Sequence, residues 1–150
     1  MGNYQIVPYE KKHGNELINL GLNDRILDVD ASFTENRIDI AVPGLSFTLL
    51  HDRQPICAGG IFPLWAGVSE GWVIASQRIF KHKIKAAILI KKRTDLLCLN
   101  NQVKRLQTSV KADFTMGLRF AKFLGFTNEG LMKHYGPDGS DYYRMAKIYI

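Results

Sequence analysis

Seven basic or imidazole side chains, Lys81, His82, Lys83, Lys85, Lys91, Lys92 and Arg93, crowd into one short stretch and hold much of the chain's formal charge of +6. Such a density attracts nucleic acid, acidic protein or the phosphates of a cofactor. A nucleic-acid face would add exposed aromatic stacking residues or a known binding module, and the sequence offers neither. A solvated helix face and a seat for coenzyme phosphates both stay open. The other reactive residue types are dispersed. His51, His82 and His134 have no acidic or nucleophilic partner near them in sequence. Cys57 and Cys98 stand in apolar surroundings without metal spacing, as buried reduced thiols do. No metal site is predicted.

The elements that must position these groups follow from periodicity. Tyr4 to Tyr9 reads as a first strand, with Pro8 at an edge or end. Glu10 to Leu27 is helical in pattern, weakened by Gly14 and Gly21, and Thr34 can cap a second helix from Glu35 to Ala41. Leu45 to His51 and Ile56 to Pro63 form a hairpin across Asp52-Arg53-Gln54-Pro55, with Ala58, Gly59 and Gly60 permitting a bulge or a close backbone approach. Ala66 to Ser69 makes the next turn, and Gly71 to Ser76 a fourth strand. Lys81 to Asn100 is a long amphipathic helix with Ile84, Ala87 and Ile88 on one face and Leu97 further along. Arg105 to Val110 is a short strand. A helix from Phe114 to Leu124 stops at Gly125, and Phe126 returns to the core. The chain is extended from Leu131 to Tyr135, turns at Gly136-Pro137-Asp138-Gly139, and closes a C-terminal hairpin with Tyr142, Arg144, Ala146 and Ile148 on one face.

Leu124-Gly125-Phe126-Thr127-Asn128-Glu129-Gly130 resembles the LGF-x-x-EG segment of the GNAT N-acyltransferases. The run from Tyr135 to Tyr142 is similar to that of short GNAT-like proteins of bacteriophages and prophages. The resemblance is strong over the last third of the chain and consistent in element order over the rest. It implies an α/β (α+β) GNAT acyl-CoA N-acyltransferase fold: a mixed, mostly antiparallel sheet flanked by helices, ending in a β-hairpin. It implies that the fourth strand splays from the fifth, with acyl-CoA in the opening, and that the region before Leu45 sets acceptor specificity.

By the same resemblance, main-chain groups of Ile74, Ala75 and Ser76 hold the pantetheine and thioester of acetyl-CoA. Gln77, Arg78 and Lys83 meet the pyrophosphate, since a helix N-terminus gathers unpaired amides and partial positive charge. Phe114 lies toward the adenine end. Two departures stand out. The loop Gln77-Arg78-Ile79-Phe80-Lys81-His82 starts with suitable residues but lacks the family's glycines, and Ala121 occupies the place of the family's proton-donating tyrosine. Glu70 is the substitute base, acting directly or through water, and Tyr135 the substitute proton donor. Their plainer roles are an exposed strand-end carboxylate and a packing residue of the hairpin. Ser76 and Ser109 can bond the pantetheine or order a water, or serve as ordinary strand hydroxyls. Trp65 and Trp72 line the acceptor cleft or pack in the core. Glu129 and Asp141 read as structural, tied by a salt bridge or turn bond to a group such as Arg105, Arg119 or Arg144.

Two functions fit. One is an acetyl-CoA-dependent N-acetyltransferase acting on a primary amine, a protein lysine or N-terminus among them. The other is a catalytically degenerate phage protein of GNAT shape with a binding, virion-associated or assembly role. The implied partners are the amine acceptor and, in a homodimer, a second copy. A membrane is not among them, and nucleic acid is the least supported. A chain of 150 residues suits one domain that buries its core without disulfides. No apolar run is long enough to cross a bilayer, and the N-terminus has neither signal-peptide nor myristoylation character. The expected compartment is the cytoplasm, that of the host for a phage protein, with the virion as the alternative.

Overall fold

The computed structural model describes residues 2–20 and 41–150. The second half of the first predicted helix and the helix predicted from Glu35 lie outside the described residues. Tyr4–Pro8 (β1), Ser46–His51 (β2), Gln54–Trp65 (β3), Val68–Ala75 (β4), Arg105–Lys111 (β5), Thr127–Met132 (β6) and Tyr142–Ile148 (β7) form one seven-stranded sheet in the order β1-β2-β3-β4-β5-β7-β6. Every neighbouring pair is antiparallel except β4 and β5. Among the described residues the helices are Lys11–Asn19 (α1), Lys83–Asn100 (α2) and Thr115–Phe123 (α3). The mixed, mostly antiparallel sheet and its C-terminal hairpin are as expected.

The turn between β2 and β3 is tighter than the sequence implied. Asp52 and Arg53 alone make it, at φ 49° and 69°, because left-handed residues give a two-residue hairpin the twist of its strands. Gln54 and Pro55 are already in β3. A bulge lies just before the small residues: Leu49 faces Cys57 while Leu50 faces Pro55, so Ile56 is the extra residue. The small residues serve close approach instead. A Cβ on Gly60 would lie 2.5 Å from the Leu45 carbonyl oxygen.

The two sheet faces are covered differently. On one, Leu17 of α1 packs with Ala58, Trp72 and Ile74. On the other, Ala86, Ile90 and Cys98 of α2 and Ala121 of α3 join Phe47, Leu49, Ile61, Leu106 and Met145. Full burial of a large aliphatic side chain stabilises by about 1.5–3 kcal/mol, so this larger cluster dominates the core. The phase of α2 departs from the prediction. Ala86 and Ile90 face the sheet, whereas Ile84 is 77% exposed and Ile88 lies at the surface. Apolar residues occur on every side of this helix, so periodicity fits more than one phase; the small Ala86 is the side that can come close to the strands. The helix also starts later than Lys81, after a 3-10 turn over Gln77–Lys81. Both cysteines are buried and free, and burial pushes the Cys57 thiol up to about 12.

At the C-terminal end, Gly125 at φ 103° ends α3, as predicted. Strand β6 then starts at Thr127, earlier than read from the sequence, and stops at Met132, leaving Tyr135 in the turn region. Between Asn128 and Gly130 the register shifts, so Glu129 is a bulge residue. A bulge re-aims a side chain, and here it delivers the Glu129 carboxylate to Arg105 of β5.

Candidate active site

Strand β4 follows β5 for only three residues. Val68, Ser69 and Glu70 pair with Arg105, Leu106 and Gln107. Thr108 Oγ1 adds a bond of 3.0 Å to the Gly71 carbonyl, and beyond it the strands part. Side chains alternate along β4, so Glu70, Trp72 and Ile74 share a face. α1 covers Trp72 and Ile74. Glu70 therefore stands at the vertex of the opening, just past the helix.

Around Glu70 a polar group spans four strands. Gln107 Nε2 donates to Glu70 Oε1 at 3.3 Å, and Arg144 Nη1 reaches the same oxygen at 3.5 Å. Arg105 Nε donates to Gln107 Oε1 at 3.0 Å, and its other nitrogens hold Glu129 in a fork at 2.9 and 2.6 Å. Those bonds raise the Arg105 pKa and lower that of Glu129. The Arg144 guanidinium carbon lies 5.9 Å from the Tyr135 ring centroid, and that ring packs on Tyr142 at 5.4 Å. The two predicted catalytic residues, Glu70 and Tyr135, thus both lie beside Arg144. The Ser109 hydroxyl, cross-strand from Arg144, is buried and has no hydrogen-bond partner among the described residues, and the same is true of the Trp72 indole N–H.

The predicted main-chain ligands divide. The Ser76 N–H donates to the Ile56 carbonyl at 3.0 Å, and by alternation Ile74 also turns its groups to β3. Val73 and Ala75 direct theirs the other way, toward the opening. The Ser76 hydroxyl is fully buried, donating to Ile56 O at 3.0 Å and accepting from the Arg78 N–H at 3.3 Å. It caps the 3-10 turn. Within that turn the amide of Ile79 bonds Ser76 O, and the amide of His82 bonds Ile79 O. Arg78 is tied to Glu16 at 2.8 Å and to Pro55 O at 3.0 Å, while Gln77 is exposed.

The first turn of α2 presents amides instead. The Ala86 N–H closes the first bond, to His82 O at 2.8 Å, so those of Lys83, Ile84 and Lys85 have no partner among the described residues. The side chains of Lys81, Lys83 and Lys85 are exposed around them, with Lys83 Nζ 5.4 Å from the Phe80 ring. An anion such as a pyrophosphate fits this end. Beside it, His51, Gln54, Ile56, Arg78, Lys81 and His82 line a pocket of about 400 Å³. The Tyr4 hydroxyl meets His82 Nδ1 at 2.6 Å, and the His51 and His82 rings lie 4.2 Å apart with their planes tilted by 43°. Desolvation, then the charges of His51 and Lys81, lower the His82 pKa. Phe114 precedes α3 and lies over Gly117.

No family model matches the chain, and no curated protein matches it in sequence. Solved structures do match. A GNAT-family acetyltransferase from Streptococcus pneumoniae superposes with a TM-score of 0.71 at 15% identity, over 99% of this chain and 100% of that one. The fold is the GNAT acetyltransferase fold. A ribosomal-protein-alanine N-acetyltransferase from Brucella melitensis gives a TM-score of 0.70 at 17% identity, over 97% and 99% of the two chains. A variant of the spermidine N-acetyltransferase SpeG from Vibrio cholerae gives 0.71 at 16% identity, over 97% and 93%.

Against this fold, Ala121 lies 5% exposed in the core, so no phenol enters the opening from α3. Glu129 and Asp141 are structural, as expected. Arg105 holds the first, and the His134 N–H donates to the second at 2.9 Å. Trp72 is buried, whereas Trp65 is 67% exposed near the tip of the β3–β4 hairpin. Gln107 and Arg144 complete the surroundings of Glu70 and carried no functional signal in the sequence. Alternation put Arg144 on a face, but only strand pairing put Glu70 beside it.

Proposed function

We propose that this chain is an acetyl-CoA-dependent N-acetyltransferase acting on a primary amine. The observation that carries the reading is the parting of β4 from β5 just after Glu70, with the main chain of Val73 turned into the gap. The α2 amides and Lys81, Lys83 and Lys85 hold the phosphates, and the β4 edge takes the pantetheine. Bound acetyl-CoA supplies an acetyl group activated as a thioester. Glu70 takes the proton that the acceptor ammonium must lose, directly or through a water, before its nitrogen can attack. A new N–C bond replaces the C–S bond, Tyr135 gives its proton to the leaving thiolate, and the nitrogen's second proton, released as the amide forms, restores the phenol.

A second reading, a GNAT-shaped protein that binds without transferring acetyl, is favoured by the glycine-free 3-10 turn. Its amides at Ile79 and His82 are already bonded. The virion or assembly role implied by the phage resemblance belongs to this reading.

Calorimetric titration of acetyl-CoA, with desulfo-CoA as control, separates the two. Transferase function predicts micromolar binding, weakened about tenfold by Lys83→Ala. No heat at several temperatures, from protein shown to be folded, removes acetyl transfer and leaves the binding role.

A further inference from the structure

The least satisfied charged group on the open face is Arg144. Its side chain is only 22% exposed, yet among the described residues a single contact is hydrogen-bonding, the long one of 3.5 Å to Glu70. A guanidinium has five N–H donors in a planar fork, and a cation this enclosed ordinarily has a closer partner. The neighbouring charges are taken. Arg105 and Glu129 saturate one another through two bonds, and Lys111 faces Asp138 at 3.6 Å. Directly across from Arg144 on β5 is the buried, unpartnered Ser109 hydroxyl. A guanidinium with one long bond and a hydroxyl with none thus adjoin the carboxylate at the vertex of the opening.

We infer that the acceptor is a free α-amino acid, with its ammonium on Glu70 and its carboxylate on the fork of Arg144. The inference rests on the transferase reading above and specifies its substrate. A loosely joined carboxylate and guanidinium are complementary to a zwitterion, because each charge of the ligand meets its opposite and the two pairs alternate in sign. Arg144 adjoins Glu70 directly, so the acceptor's amine and carboxylate must also be close, as they are on a single carbon. A polyamine would bring its distal ammonium groups toward Arg144 and Arg105, whose charge repels them. A lysine side chain in a protein has no carboxylate near its amine and would leave Arg144 unmatched. In the reaction one ammonium proton passes to Glu70, the N–C bond forms as the C–S bond breaks, Tyr135 gives its proton to the departing sulfur, and the second nitrogen proton restores the phenol as the amide forms.

The test offers acetyl-CoA with an equimolar set of free amino acids, the same amino acids as C-terminal amides, spermidine and a lysine-containing peptide, and reads products by mass spectrometry. The expected result is a free amino acid acetylated with kcat/KM roughly 10- to 100-fold above its amide, as charged hydrogen bonds give. Arg144→Gln erases that preference through KM, while acetyl-CoA affinity measured on the same preparation is unchanged. Arg144→Lys, which keeps the charge without the fork, restores part of it. Equal use of amides, spermidine or the peptide overturns the inference, as does a preference that survives Arg144→Gln. Acetyl-CoA binding without transfer to any free amino acid also overturns it. Should acetyl-CoA not bind at all, the transferase reading falls separately. Saturation-transfer NMR then judges the amino-acid site alone: signal for the zwitterion and not its amide, lost in Arg144→Gln, upholds it, and equal or absent signal overturns it.

Discussion

Strand β7 carries a polar network on each side of the sheet, and the two are built differently. On the side covered by α2, Asp95 collects Lys147 at 2.7 Å, Tyr149 at 2.7 Å and Lys91 at 3.0 Å. Lys147 also bonds the Leu124 carbonyl at 2.9 Å, locking the end of α3 to β7. Burial alone would raise the Asp95 pKa, but the bonds from Lys147, Tyr149 and Lys91 outweigh it and the net shift is downward. Burial, then the bond to Asp95, raises the Tyr149 pKa. On the open side, Arg144 and Glu70 share one long contact, and the Ser109 hydroxyl has none. A saturated network fixes the fold; an unsaturated one beside a strand opening is poised for a ligand. Residues 144 and 147 lie on opposite faces because their separation is odd.

The largest effect that would sharpen this contrast is on turnover. Glu70→Gln should lower kcat/KM about 10²- to 10⁴-fold while leaving acetyl-CoA affinity unaltered in calorimetry. A loss under threefold would return Glu70 to a purely structural role. Next comes stability. Asp95→Ala leaves Lys147 and Tyr149 without their acceptor and should cost roughly 2–4 kcal/mol, read from the urea midpoint. The sign of its pH dependence follows from a folded pKa below the ordinary 3.8. Asp95 contributes fully above 3.8, and the contribution disappears as pH falls through the lower folded value. The acid limb of the stability curve should therefore flatten in Asp95→Ala. An unchanged limb would show that Asp95 is not the linked group. The smallest effect belongs to Glu129→Gln on the open side, a shift of the urea midpoint well below that of Asp95→Ala, because that pair is solvent-screened. A cost matching Asp95→Ala would erase the contrast between the faces.

Much of the C-terminal half was legible in the sequence. The helix stop at Gly125, the return of Phe126 to the core and the last strand from Tyr142 follow from local rules about glycine and alternation. The internal ties of Glu129 and Asp141 were also anticipated. The phase of α2 was not, because its apolar residues surround the helix and only the neighbouring sheet selects Ala86 and Ile90 over Ile84 and Ile88. Likewise, the bulge at Ile56 arises from how β2 and β3 align, not from the small residues nearby. For the candidate site, Glu70 and Tyr135 could be singled out as residue types. Arg78 and Ser76, equally suitable by type, proved to be engaged with Glu16, Pro55 and Ile56.

By itself the sequence determined the order of the elements, the burial of both thiols and the basic character of the α2 end, since each depends on neighbours within a few residues. Tertiary structure alone decided that Glu70, Gln107 and Arg144 meet, for they are brought together by pairing β4 with β5 and β5 with β7. Long-range strand register is a property of the closed sheet, and no local pattern encodes which carboxylate will face which guanidinium.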